Sequence, residues 1–287
     1  MKEKSKCLFL LCIIFLSCLF GGCSNRVLRS GSFEDPTLLP GARRIGTALW
    51  DAAFDPYIGV TTAALIVTAA SGKDKQISSY ATQHTPVFGS SENAKKASDI
   101  FVAASVGITV LTYTVKYLPH IMESPDEEDG CPIRTEFGMS PRFHAPIAAA
   151  SAGVIALGLT SGTTEILKTT TGRLRPDSSN TYSFPSGHTS SAAVKNAYSA
   201  KIISSMSLPR SYNYPAYAVL TTLTAATAWG RVEGEKHYPT DVMAGAIIGT
   251  FFANAAYKAF LGPYQYVENF NIQIAPQRAA VTATMTF

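Results

Sequence analysis

Cysteine is almost missing from the body of this 287-residue chain. Four of the five (Cys7, Cys12, Cys18 and Cys23) crowd into the first 23 residues, and only Cys131 lies beyond them. A lone thiol cannot staple a fold, so packing must hold this one together. There is no internal repeat, which excludes solenoid and propeller architectures. Alternating strand patterning is nearly absent before residue 270, which excludes a β-sandwich or barrel. Charge of one sign is also lacking. The net charge of +4 falls to +2 without residues 1–22, which carry three lysines and one glutamate. That balance is a poor match to nucleic acid as a partner. No pair among His84, His120 and His144 has metal-ligand spacing, so no metal site is expected.

What is present begins with a leader. Lys2, Lys4 and Lys6 precede an apolar stretch from Leu8 to Phe20 and then Gly21-Gly22-Cys23-Ser24, the build of a secretory signal over residues 1–22. Its apolar part is too short to span a bilayer comfortably. Small residues before Cys23 resemble a bacterial lipobox, in which the cysteine is lipidated; Phe20 stands where leucine is usual. Residues 23–45, polar and carrying Pro36 and Pro40, read as a tether. Residues 46–262 form the main domain and 263–287 a tail. In the tail, Phe270, Ile272 and Ile274, then Val281, Ala283, Met285 and Phe287, alternate with other residues around Pro276-Gln277-Arg278. That pattern predicts a terminal β-hairpin of structural role.

The main domain reads as all-α, with helices at about 58–70, 96–118, 145–170, 187–206, 215–230 and 239–261. These segments are apolar for most of their length but diluted by Ser and Thr, and they include Asp99, Lys116 and Glu165. The dilution favours a soluble bundle held at a membrane by its N-terminus over a multi-spanning protein. The acidic connection from Pro119 to Pro141 reads as a solvated loop.

Three short runs carry chemistry. Lys168, six residues and then Arg175-Pro176 form the first; proline keeps Arg175 out of helical conformation. The second is Pro185-Ser186-Gly187-His188, where Ser186 or a neighbour caps a new helix whose free N–H groups make an anion seat. The third is Arg231, five residues, His237, three residues and Asp241, with Pro239 at the first turn of a helix. Taken singly each has an ordinary alternative: cations closing a helix, a routine Ser-Gly cap, an aspartate serving only a helix N-terminus. Taken together they supply fixed cations for phosphoryl oxygens and two imidazoles with separate duties. A carboxylate at Asp241 could fix one ring nitrogen of His237 and free the other to attack.

In these runs the chain resembles the type 2 phosphatidic acid phosphatase family, which shares a helical fold with bacterial class A acid phosphatases and vanadium haloperoxidases. The resemblance covers about residues 99–260. It implies Lys168, Arg175 and Arg231 as phosphate ligands, with Ser186 and Gly187 completing the cradle. It implies His188 as general acid, His237 as the nucleophile that becomes a phosphohistidine, and Asp241 as its orienting partner. Phosphatases of the family need no metal or other cofactor. Gly230 stands where the family usually has serine, so a hydroxyl contact is missing from the motif, and Arg173 is an extra cation that reads as solvated.

The expected activity is therefore a metal-independent phosphatase hydrolysing a phosphomonoester or pyrophosphate, of a phosphorylated lipid or a small phosphate ester. It would work in a bacterial cell envelope, on the periplasmic side, anchored to the membrane surface through the N-terminus. The competing expectations are a vanadate-dependent haloperoxidase and a non-catalytic envelope lipoprotein.

Overall fold

Two helix starts in this chain are marked by side-chain caps, and a computed structural model places them where the chemistry asks. It describes residues 36–122, 141–206 and 208–262, and the backbone of 271–274 and 281–284. The expected signal, Cys23, Cys131 and the hairpin turn lie outside the described residues. The helices are α1 (Ala42–Ala53), α2 (Pro56–Ala70), α3 (Asp74–His84), α4 (Ser91–Met122), α5 (Pro141–Thr171), α6 (Gly187–Ser204), α7 (Arg210–Glu233) and α8 (Pro239–Leu261). Asp55 accepts the Tyr57 N–H before Pro56 opens α2. Ser186 accepts the Thr189 N–H at the start of α6. Both are side-chain caps for donors that a helix cannot pair internally. Gly172, at φ 52, closes α5 in the left-handed region.

The all-α expectation holds, as does the pairing of β1 (Asn271–Ile274) with β2 (Val281–Thr284). That pairing sets Ile272 opposite Ala283 and Ile274 opposite Val281. Two helices were not expected. The first, α1, begins inside the stretch read as tether, and the backbone N–H of the nearby Thr37 donates to the Phe260 carbonyl at 2.8 Å. The second is α3, short and polar.

The centre of the bundle is the α6–α8 pair, with α5, α4 and α7 around it and α1 and α2 against α8. Its core is built from small residues: Ala149, Ala152, Ala156, Ala192, Ala193 and Ala253 are all at most 1% exposed. Glycine makes the seam tighter than alanine could. A Cβ on Gly249 would lie 2.4 Å from the Ser190 carbonyl oxygen, and one on Gly245 2.5 Å from that of Ser186.

Many large apolar residues are on the outside. On α4, Ile100, Val110, Leu111 and Val115 are exposed, as are Val154, Leu159 and Ile166 on α5 and Val60 and Val67 on α2. Helices 91–119, 143–171 and 239–261 are each long and apolar enough to cross a membrane, and α1 with α2, bent by 52°, passes the same test as a pair. The protein is membrane-associated, and its exposed apolar flanks go beyond the expectation of attachment by the N-terminus alone. Hydroxyl dilution is a weak argument for a soluble bundle, because the hydroxyls bond within their own helices. Ser105 donates to the Phe101 carbonyl, Thr109 to Ser105, Thr112 to Ile108 and Thr61 to Tyr57, at 2.7–2.8 Å. Satisfied this way, a hydroxyl adds little polarity to a helix surface.

Candidate active site

Chain direction brings the three motifs to one end of the bundle. The C-terminal ends of α5 and α7 and the N-terminal ends of α4, α6 and α8 meet there. Two loops close that end and are clipped together: Lys236 donates to Asp177 at 2.6 Å, and the Asp177 N–H donates to the Glu235 carbonyl. Burial pushes the Asp177 carboxyl up, but hydrogen bonds from Lys236 and Ser179 outweigh it and hold it down at about 2. A buried carboxylate, Glu233, binds α7 to the start of α4 by accepting from the Val87 and Phe88 N–H groups and the Trp229 indole.

Within this frame the expected ligands converge. Lys168 stands in the last turn of α5, its ammonium 3.1 Å from where a Cβ on Gly187 would be. Any side chain at 187 would press into that cation, so glycine keeps the seat clear. Arg231, in the last turn of α7, is 6% exposed. The Nε atoms of Arg231 and Arg175 are buried with no hydrogen-bond partner among the described residues. Buried guanidinium donors without acceptors are costly unless an anion completes them. Ser186 is fully buried with its hydroxyl engaged in the α6 cap, so it shapes the seat through the backbone rather than by its side chain.

The two imidazoles occupy different surroundings. His237 is 1% exposed, and its Nδ1 donates to the Ser183 carbonyl at 2.6 Å. A carbonyl can only accept, so Nδ1 carries the hydrogen and Nε2 keeps its lone pair. Burial lowers the His237 pKa well below the usual imidazole value, and the charges of Arg231, Arg175 and His188 add to the shift. His188, at the first turn of α6, has a side chain 41% exposed. Burial and Arg231 lower its pKa too, opposed by Asp99. These mutual effects place Lys168, Arg175, His188, Arg231 and His237 in one electrostatic unit.

Asp241 departs from expectation. Its carboxylate stands 3.9 Å from Nδ1 of His237 and does not take the ring hydrogen. It accepts instead from Ser183 Oγ at 2.5 Å, the Tyr238 N–H at 2.8 Å and Arg173 at 2.6 Å. As the third residue of α8 it is drawn to the helix's free amides. It therefore orients His237 only through Ser183. Arg173, expected to be solvated, is the hub behind the site: it bridges Asp241, Thr240 and Asp74 and lies over the Tyr238 ring at 4.2 Å. Asp74 in turn accepts from the Thr240 N–H and hydroxyl.

The residue types of the motifs did not foretell Asp74, Ser183, Ser98 or Asp99. Ser98 bears on the glycine at 230. A Cβ there would lie 2.9 Å from the Ala94 carbonyl oxygen, so α4 fills the space a serine would need. The same helix returns a hydroxyl, because Arg231 donates to Ser98 Oγ at 3.3 Å.

Comparison with known proteins agrees with this geometry. Residues 149–263 match the PAP2 superfamily. That segment contains all three motifs, from Lys168 to Asp241. A solved structure, that of a transmembrane PAP2 type phosphatidylglycerolphosphate phosphatase from Bacillus subtilis, is similar to the chain at TM-score 0.39 and 18% identity, over 73% of this chain and 92% of that one. Among curated proteins none matches. The PAP2 match runs from within α5 past the end of α8, and α4, which brings Ser98 and Asp99 to the site, lies outside it.

Proposed function

We propose that this PAP2 domain removes phosphate from a lipid phosphate at a membrane surface through a phosphohistidine on His237. One observation carries the reading: a buried imidazole with its Nδ1 hydrogen committed to a carbonyl and its Nε2 free, beside two guanidinium groups with unused donors. The unprotonated Nε2 attacks phosphorus and the phosphorus–oxygen ester bond breaks. His188 gives its proton to the departing oxygen, then takes one from the water that attacks the phosphorus–nitrogen bond. That second step releases inorganic phosphate and restores both rings. Arg175, Arg231 and Lys168 hold the oxygens on which charge accumulates.

The lipid follows from position. The site lies at one end of helices whose apolar flanks are long enough to cross a bilayer, which sets a phosphate seat at headgroup level. The leader motif adds a second attachment at Cys23, which palmitate labelling of the wild type against Cys23→Ala would test. For the chemistry, phosphate release is measured from phosphatidic acid, phosphatidylglycerol phosphate and para-nitrophenyl phosphate. His237→Ala should lower turnover by at least ~10⁴-fold, as loss of a covalent nucleophile does. Acid-labile labelled phosphate should be trapped on the wild type alone; turnover surviving in His237→Ala would sink the nucleophile assignment.

A further inference from the structure

Two groups that would grip the substrate phosphate already touch an anion the chain supplies. Asp99 projects from the first turns of α4, and its Oδ1 lies 2.9 Å from Nε2 of His188 and 3.7 Å from a terminal nitrogen of Arg231. The Asp99 side chain is 61% exposed while that of Arg231 is 8% exposed, so an exposed carboxylate reaches in toward a buried cation.

A carboxylate that merely orients a catalytic ring belongs behind it, as the Ser183 carbonyl does for His237. Asp99 shares one oxygen with Arg231 instead. The oxygen it gives to His188 is the one nearest Arg231, so it lies on the face where the cations point. One oxygen between an imidazole N–H and a guanidinium is the arrangement a phosphoryl oxygen would adopt there. Exposure leaves the side chain free to turn toward solvent, which a buried carboxylate could not do without a large desolvation penalty.

We propose that Asp99 is an internal phosphate mimic, which competes with phosphate esters and with product phosphate for the seat between His188 and Arg231. The identity of that seat rests on the function proposed above. Competition of this kind weakens product binding as much as ester binding, and so speeds release of inorganic phosphate from a strongly cationic pocket. Exposed charge pairs are weak, so the competition should amount to about two- to fivefold in affinity.

The test uses the full chain in detergent micelles with inorganic phosphate as probe. The inhibition constant for phosphate is measured beside the rise in melting temperature that phosphate produces. Asp99→Asn should bind phosphate about two- to fivefold more tightly by both readouts. Glu92→Gln removes an exposed carboxylate from the same helix, one that pairs only with Lys96, and should change neither. Unchanged or weaker phosphate binding in Asp99→Asn overturns the proposal, as does equal tightening in Glu92→Gln. The melting readout needs no turnover, so wild-type protein that binds phosphate yet hydrolyses nothing would defeat the phosphatase mechanism while still scoring Asp99.

Discussion

The seam between α6 and α8 and the outer flanks of α2, α4 and α5 invert the usual arrangement of a water-soluble bundle. Inside, glycine, alanine and buried hydroxyls bring backbones into near contact at Gly245 and Gly249, with Val194, Tyr198, Ile202, Tyr257 and Phe260 buried further along. Outside are valine, leucine and isoleucine. In water the large side chains would face inward, because burying them is the main driving force. When the surroundings are themselves apolar that force vanishes, and close approach through small residues takes its place. The reaction end shows a like contrast: His237 is buried, while His188 and Asp99 open outward.

The comparison breaks most visibly at the seam. Gly249→Leu must force the Ser190 carbonyl and the Val194 amide away, since even a Cβ would sit 2.4 and 2.7 Å from them. Overpacking of this sort exceeds the usual ~1–3 kcal/mol because backbone, not a flexible tip, is in the way. The expected result is no folded protein in a thermal melt or by gel filtration in detergent; a melt near that of the wild type would show that the helices are not so closely apposed. A smaller effect is expected on the flank. Val110 is 60% exposed in the middle of α4. Facing water, Val110→Lys should change stability by under ~0.5 kcal/mol. Facing lipid, it should cost about 2.5–3.5 kcal/mol of membrane insertion. A glycosylation-site insertion assay separates the two, and the lipid outcome is expected.

How much of this could be read from the sequence depended on whether the cause was local. The cap at Ser186 and the proline at 239 act within one turn, and both helix starts lie where the residue pattern put them. The long apolar periods gave α4 through α8 in outline. Helix α3 was missed because it is short and its buried face carries Asp74 and Ser78 rather than an apolar stripe. The links that complete the site leave no local trace. Asp74 meets Arg173 from 99 residues away and Ser98 meets Arg231 from 133. The group that orients His237 is a backbone carbonyl, which every residue has, so no side chain could announce it. The carboxylate at Asp241 was expected at the ring and yet is held by the Tyr238 amide, the Ser183 hydroxyl and Arg173, nearer competitors for its oxygens.

The finest distinction is between the two imidazoles, and it sharpens the contrast between seam and mouth. Both are lowered by burial first and by Arg231 next, but His237 is almost wholly enclosed and His188 is not, and only His188 has a carboxylate pulling it back up. The sign is the same for both: desolvation disfavours the protonated ring, so each takes up its proton at lower pH than a free imidazole, near 6.5. The order is what matters for catalysis. On acidification from neutral pH, His188 should protonate first, below 6.5, while His237 remains neutral and nucleophilic. A window then exists on the acidic side of 6.5 in which acid and nucleophile are both in the required state. Histidine-selective nitrogen NMR of the ligand-free protein, with each resonance assigned by substitution, measures the two titrations directly and avoids the substrate's own ionisation near pH 6. If position 237 took up its proton before position 188, or both did so together at 6.5, the ring at 237 would have to be solvated, and its burial beside the Ser183 carbonyl would have to be given up as well.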